Sequence, residues 1–204
     1  MKTLLKLFNT CLDIPYQTVG SNVNYAFKET GDKLEIYFEC SNGLQDWLAN
    51  FDFKKVVYDG LFKVHRGFYE CYYQVRNIIL DKVYEKDWKE VIVVGYSHGA
   101  SLCGFATQDI RYHFPHLKLF GYAFESPRFV KVKKELKYMF DDLTVIRNGN
   151  DLVTHVPFKF MGFSDVGTML NIKGDTSLVE KRIPKCIKYH YPNVVIDGLE
   201  KANL

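Results

Sequence analysis

The sequence predicts an α/β fold with a mostly parallel sheet covered by helices on both faces, and three observations carry that expectation. Short, almost wholly apolar runs alternate with stretches of helical periodicity, the pattern of strands buried on both sides. Hydrophobic residues make up 47% of the 204 residues and charged ones 25%, so the chain can bury a sizeable core. No internal repeat, low-complexity tract or Pro/Gly linker divides it, so residues 1–204 are expected to form one domain.

The elements follow in order. Leu4, Leu5, Phe8, Cys11 and Leu12 share one helical face, predicting a helix that packs on the core and ends before Pro15. Val23, Tyr25 and Phe27 alternate, the turn residues of ETGD follow at 29–32, and Leu34, Ile36 and Phe38 alternate again: a β-hairpin. A short strand is expected around Val56 to Tyr58. Phe68, Cys71, Tyr72, Val75, Ile79 and Val83 then mark the buried face of a long helix. Val91 to Val94 reads as a strand, Ala100 to Tyr112 as a helix, Leu117 to Phe124 as a strand, Lys131 to Phe140 as a helix with a solvated lysine face, and Leu143 to Ile146 as a strand.

Charge and cysteine content narrow the function classes. Lys and Arg total 27 against 24 acidic residues, and a net charge of +3 gives no electrostatic reason to expect nucleic acid as a partner. Five cysteines form an odd set without CxxC pairing or Cys/His spacing, which argues against a disulfide framework and a zinc site and for free thiols in a reducing compartment. Lys6 interrupts the first apolar run and no small-residue cleavage site follows, so no signal peptide is expected and the location expected is cytoplasmic. A signal upstream of this sequence would make it a secreted protein. No run of about 18 apolar residues predicts a transmembrane segment.

The chemistry concentrates in VIVVGYSHGAS, residues 91–101. An apolar strand leads into Gly95-Tyr96-Ser97-His98-Gly99 and then a helical pattern, the arrangement of a nucleophile elbow. Glycines two before and two after the serine leave room for close backbone approach at a strained turn. The bare pattern arises by chance about 0.07 times per chain of this length. The strand before it and the helix after it are the context that makes Ser97 the candidate nucleophile.

A serine hydroxyl needs a histidine to take its proton and a carboxylate to orient that histidine. Asp151 follows the apolar run of LTVIRNGN and falls just past a strand end, where this sheet class gathers its site residues, whereas Asp141, Asp142 and Asp165 read as helix-end or loop carboxylates. His190, in KYHYPNV, lies in a late loop in the order serine, aspartate, histidine and is the favoured base. His155, four residues beyond Asp151, is the alternative, and His113 and His116 flank Pro115 at a helix end.

Five segments in order, FECSNGLQDWLANFDF (38–53), VHRGFY (64–69), VVGYSHGAS (93–101), AFESPRF (123–129) and NGNDLVTHVP (148–157), resemble the successive signatures of the class 3 lipase family. The resemblance spans about residues 34–195 and implies the α/β-hydrolase fold with Ser97, Asp151 and His190 as the triad. It also implies Ser41 as the oxyanion-hole serine, the backbone N–H of His98 as the second donor, and the segment from Leu44 to Asn50, with Trp47 and Leu48, as a lid. This sequence departs from the family at Glu39 and Cys40, where Arg-Gly is usual, at His98, where Leu is frequent, and at Glu125, where FESPR replaces the common FGSPR.

The expected function is therefore a serine carboxylester hydrolase acting through an acyl-enzyme, on acylglycerols or related fatty-acyl esters, with no cofactor and no metal. Transient contact with a lipid interface would follow from the lid. The alternatives are a phospholipase, an esterase on short-chain or phenolic esters, and a non-catalytic lipid-binding protein of the same fold.

Overall fold

The computed structural model of the chain describes residues 3–20, 23–39, 53–58 and 60–204. Its main sheet has seven strands in the order β1 (Gln17–Val19), β2 (Val23–Thr30), β3 (Lys33–Phe38), β6 (Glu90–Tyr96), β7 (Leu119–Phe124), β9 (Leu143–Asn148) and β10 (Thr168–Ile172). The β2–β3 hairpin turns at Gly31, whose φ of +59° suits glycine. From β3 to β10 every neighbouring pair is parallel. A second, antiparallel sheet joins β4 (Lys55–Tyr58), β5 (Phe62–His65) and β8 (Val130–Lys131).

Alternation along the strands divides the core into two layers. Leu34, Ile36, Phe38, Val91 and Val93 face the long helix α2 (Arg66–Tyr84) and α3 (His98–His113), burying Phe68, Tyr72, Val75, Ile79 and most of α3. Tyr37, Ile92, Val94, Tyr96 and Phe124 point the other way, against α1 (Thr3–Asp13) and α5 (Pro192–Lys201) through Leu7, Phe8, Val195 and Leu199. Side chains of a strand alternate faces, so each apolar run feeds both layers at once. The middle of α2 is tied to the last turns of α3 by Arg76, which donates to Asp109 at 2.6 and 2.9 Å, with Tyr72 Oη donating to the same carboxylate at 2.9 Å.

Several elements differ from the sequence reading. Lys131 to Phe140 is not one helix: Val130 and Val132 are buried in the two-residue rhythm of a strand, Val130 joins β5, and a 3-10 helix covers only Lys134–Phe140. Lys131, Lys133, Lys134 and Lys137 are exposed, as expected. β1, β5 and β10 carry too little apolar alternation to be read alone. His190 lies in a late loop, as expected, which is the tight turn between α4 (Lys185–Lys188) and α5. Pro192 opens α5, a position where its missing N–H costs nothing, and Val194, Val195 and Leu199 supply a buried helical face. Among the described residues no helix is long and apolar enough to cross a membrane.

Candidate active site

Ser97 stands between β6 and α3 at φ +57° and ψ −119°, a strained backbone for a non-glycine residue. Packing holds it there. A Cβ at Gly95 would meet the Gly99 carbonyl oxygen at 2.1 Å, and one at Gly99 would meet the Phe38 and Glu39 carbonyl oxygens at 2.4 and 2.5 Å. Any side chain at either position would push the turn open, which is the physical content of the spacing G-x-S-x-G. The Ser97 N–H donates to the Phe124 carbonyl at 2.9 Å, continuing the β6–β7 ladder into the turn.

Asp151 lies three residues past β9. Its backbone N–H donates to the Asn148 carbonyl at 3.2 Å, its Oδ1 accepts from the Val153 N–H at 3.1 Å, and it is 1% exposed. The loop after it is braced by Arg128, which donates to the His155 carbonyl, to the Pro157 carbonyl at 3.2 Å and to Asp165 at 2.7 Å. Asp165 also takes Arg147 at 2.7 Å and Lys159 at 2.6 Å. Burial alone would raise the Asp165 carboxyl, but these three cations hold it well below the usual carboxylate range.

His190 is brought to the serine from far along the chain. Its Nδ1 donates to Asp151 Oδ2 at 2.6 Å, and its Nε2 accepts from Ser97 Oγ at 2.7 Å. Tyr96 Oη donates to the His190 carbonyl, and the two rings stack 5.3 Å apart. Asn148, fully buried, donates to the Tyr189 carbonyl at 2.8 Å while accepting from the Gly174 N–H at 2.7 Å. Tyr96 and Asn148 therefore fix the backbone on either side of the imidazole. Neither was singled out in the sequence, although Tyr96 is the residue before Ser97 and Asn148 closes the apolar run before Asp151.

His98 is the first residue of α3, so its N–H has no acceptor within the helix and points with the helix dipole. Its imidazole packs edge-on to Phe68 at 5.4 Å, and burial lowers its pKa to about 4, which keeps the ring neutral beside Ser97. Ser41, Leu44, Trp47 and Leu48 lie outside the described residues. The chain reaching them passes the elbow, since Phe38 and Glu39 contact Gly99; Glu39 donates its N–H to the Asn24 carbonyl at 3.2 Å and its carboxylate accepts from the Asn24 amide.

The other histidines stand apart. The His155 Nδ1 donates to the Asp151 backbone carbonyl at 2.8 Å rather than to its carboxylate, and His113 faces Arg76 and Asp109 on α3. Asp142 is committed to Arg111 at 2.6 Å. Among the described residues Cys11, Cys71, Cys103 and Cys186 form no disulfide, and Cys40 lies outside them.

A parallel sheet with a serine elbow at the end of one central strand and an acid loop two strands away defines the α/β-hydrolase class. The class 3 lipase profile matches residues 36–161, more than half of the chain, and the chain belongs to that family. A lipase of Rhizomucor miehei is 28% identical over 175 residues, covering 80% of this chain and 47% of that protein, so this chain spans about half the length of that relative. The solved structure of the Rhizomucor miehei triacylglyceride lipase superposes with a TM-score of 0.73 at 22% identity, over 91% of this chain and 82% of that one. A triacylglycerol lipase described as having a serine-protease triad superposes at 0.69 with 24% identity, over 81% and 67% of the two chains. At these identities the two structures establish a shared fold.

Proposed function

We propose that this chain acts as one α/β-hydrolase domain that hydrolyses carboxylic esters, acylglycerols or related fatty-acyl esters, through an acyl-enzyme on Ser97. The observation that carries the reading is the unbroken relay Ser97 Oγ to His190 Nε2 at 2.7 Å and His190 Nδ1 to Asp151 at 2.6 Å. His190 takes the Ser97 proton as Oγ bonds to the ester carbonyl carbon, and Asp151 stabilises the imidazolium that forms. The carbonyl oxygen becomes an anion facing the His98 N–H, with Ser41 as the second donor. His190 then gives its proton to the departing alkoxide as the ester C–O bond breaks. Water, deprotonated by the same imidazole, attacks the acyl carbon and frees the acid and Ser97. None of these steps calls for a cofactor or metal.

The triacylglycerol lipases named above support fatty-acyl substrates. Beside the acid loop, Leu152, His155, Phe158, Phe160 and Cys186 line a cleft of about 410 Å³, and Phe158 and Phe160 stack 5.4 Å apart with Phe160 86% exposed. Such an exposed aromatic pair suits transient contact with a lipid surface, and the segment with Trp47 and Leu48 is the proposed lid. Free thiols favour a reducing compartment. A p-nitrophenyl ester panel of rising acyl length, run on the chain and on Ser97→Ala, tests the reading: turnover that rises with acyl length and vanishes in the variant is expected. Turnover surviving in a folded Ser97→Ala protein would refute it, and activity confined to acetate and butyrate esters would reassign the substrate to short-chain esters.

A further inference from the structure

β7 lies between β6 and β9, so the residue past its end stands between Ser97 and Asp151 at the same edge of the sheet. That residue is Glu125. It is fully buried, and its backbone adopts φ +52°, a conformation that favours glycine. Its N–H donates to the Ile146 carbonyl at 2.9 Å, which ties this position to β9. Neither carboxyl oxygen makes a hydrogen bond of normal geometry among the described residues. A carboxyl oxygen of Glu125, one of Asp151 and a ring nitrogen of His190 nevertheless lie within 4.8 Å of one another. A buried, unpartnered acid on a strained backbone is costly, and such costs gather where a site uses them.

Resting on the triad reading above, we propose that Glu125 is a positioning residue: a neutral acid whose proton is directed at the Asp151 carboxylate, holding that anion in place and moderating its pull on the His190 proton. The groups facing Glu125 are Asp151, His190, the Asn148 backbone N–H and the Arg147 guanidinium, the last already engaged by Asp165 at 2.7 Å. Burial first, and then the nearby Asp151 charge, push the Glu125 carboxyl well above the usual carboxylate range, and in the proposed pair Glu125 carries the proton. A donor on Asp151 spreads its charge and lowers the affinity of His190 for a proton. Removing that donor should raise the pH at which His190 becomes a free base.

The test compares the acid limb of kcat/KM, which reports the free-enzyme base, in Glu125→Gln and Glu125→Met. Glutamine keeps a neutral donor. Its limb should stay within about 0.3 pH unit of the original, with kcat lowered no more than about threefold. Methionine fills the space without a donor, and should shift the limb up by about half a unit or more and lower kcat about tenfold. A Glu125→Gln limb displaced downward by about a unit or more would mean that Glu125 works as an anion, and would overturn the proposal. So would a Glu125→Met protein with the original limb and kcat, since Glu125 would then only fill space. If methionine does not fold, the glutamine limb decides alone. Fluorophosphonate labelling of the unaltered chain separates the two readings: without labelling the triad fails and this inference with it, and with labelling the limbs judge Glu125.

Discussion

The turn that holds Ser97 and the turn that holds His190 are anchored in opposite ways. At Ser97 the constraint is mainly local: two glycines four positions apart, a strand behind and a helix ahead, with the space at Gly95 closed by the Gly99 carbonyl, while Gly99 alone is pressed by backbone from elsewhere, at Phe38 and Glu39. At His190 the constraint comes from afar. Tyr96 is 94 residues away in sequence and Asn148 is 41 residues from the Tyr189 carbonyl it binds. A local constraint leaves a short motif in the sequence, whereas a distant one leaves ordinary residues whose importance depends on the fold that brings them together.

Ser97→Ala should lower ester turnover by about 10⁴-fold or more while leaving the melting temperature within a few degrees, since it removes one buried hydroxyl and the bond-forming atom. His190→Ala should cost about 10³-fold or more in kcat, whereas His155→Ala should act mainly through stability; the reverse outcome in two folded proteins would move the base to His155. Gly95→Ala tests the local anchor. Its Cβ would meet the Gly99 carbonyl oxygen at 2.1 Å, so unfolding in urea should show a loss of about 2 kcal/mol or more, with activity falling alongside.

Asn148→Ala tests the distant anchor. It leaves a buried N–H and a buried carbonyl unpaired, at a cost of about 1–3 kcal/mol, and it frees the backbone beside His190, so kcat should fall about tenfold with a smaller change in KM. A variant that loses stability but not kcat would show that Asn148 supports the fold without positioning the imidazole. The smallest effect is expected at Asp165. Its folded pKa is depressed, so its contribution to stability is present above the unfolded value near 3.9 and disappears as pH falls through the lower folded value. Asp165→Asn should lower the melting temperature by a few degrees at pH 7, and the gap to the unaltered chain should narrow progressively as the pH falls below about 4.

How much was legible follows the same division. Apolar runs reported β6, β7 and β9, which are largely buried on both faces, alternation reported the β2–β3 hairpin, and the spacing of Phe68, Tyr72, Val75 and Ile79 reported α2. The elbow was legible for the steric reason visible at Gly95 and Gly99. β1, β5, β8 and β10 were not, since strands of two to five residues are too short to show a period in the sequence, even where, as in β5, most of the residues are buried. The Lys131 to Phe140 stretch read as a helix because lysines at intervals resemble a solvated helical face, whereas the burial of Val130 and Val132 follows a strand. Chain order selected Asp151 and His190, but Tyr96 and Asn148 act only through backbone carbonyls brought close by folding. Glu125 was visible as a departure from the family pattern, and its position between two strand ends is what gives the departure a physical meaning.

The central claim is that His190, held from afar, activates a serine held locally. The measurement that tests it most directly is the site and rate of covalent labelling by a fluorophosphonate, followed by intact mass and peptide mapping on the unaltered chain and on His190→Ala. A single adduct on Ser97, formed at least about 10³-fold more slowly in the folded histidine variant, is the expected result. An adduct on another residue, or equal labelling rates in the two proteins, would contradict the account.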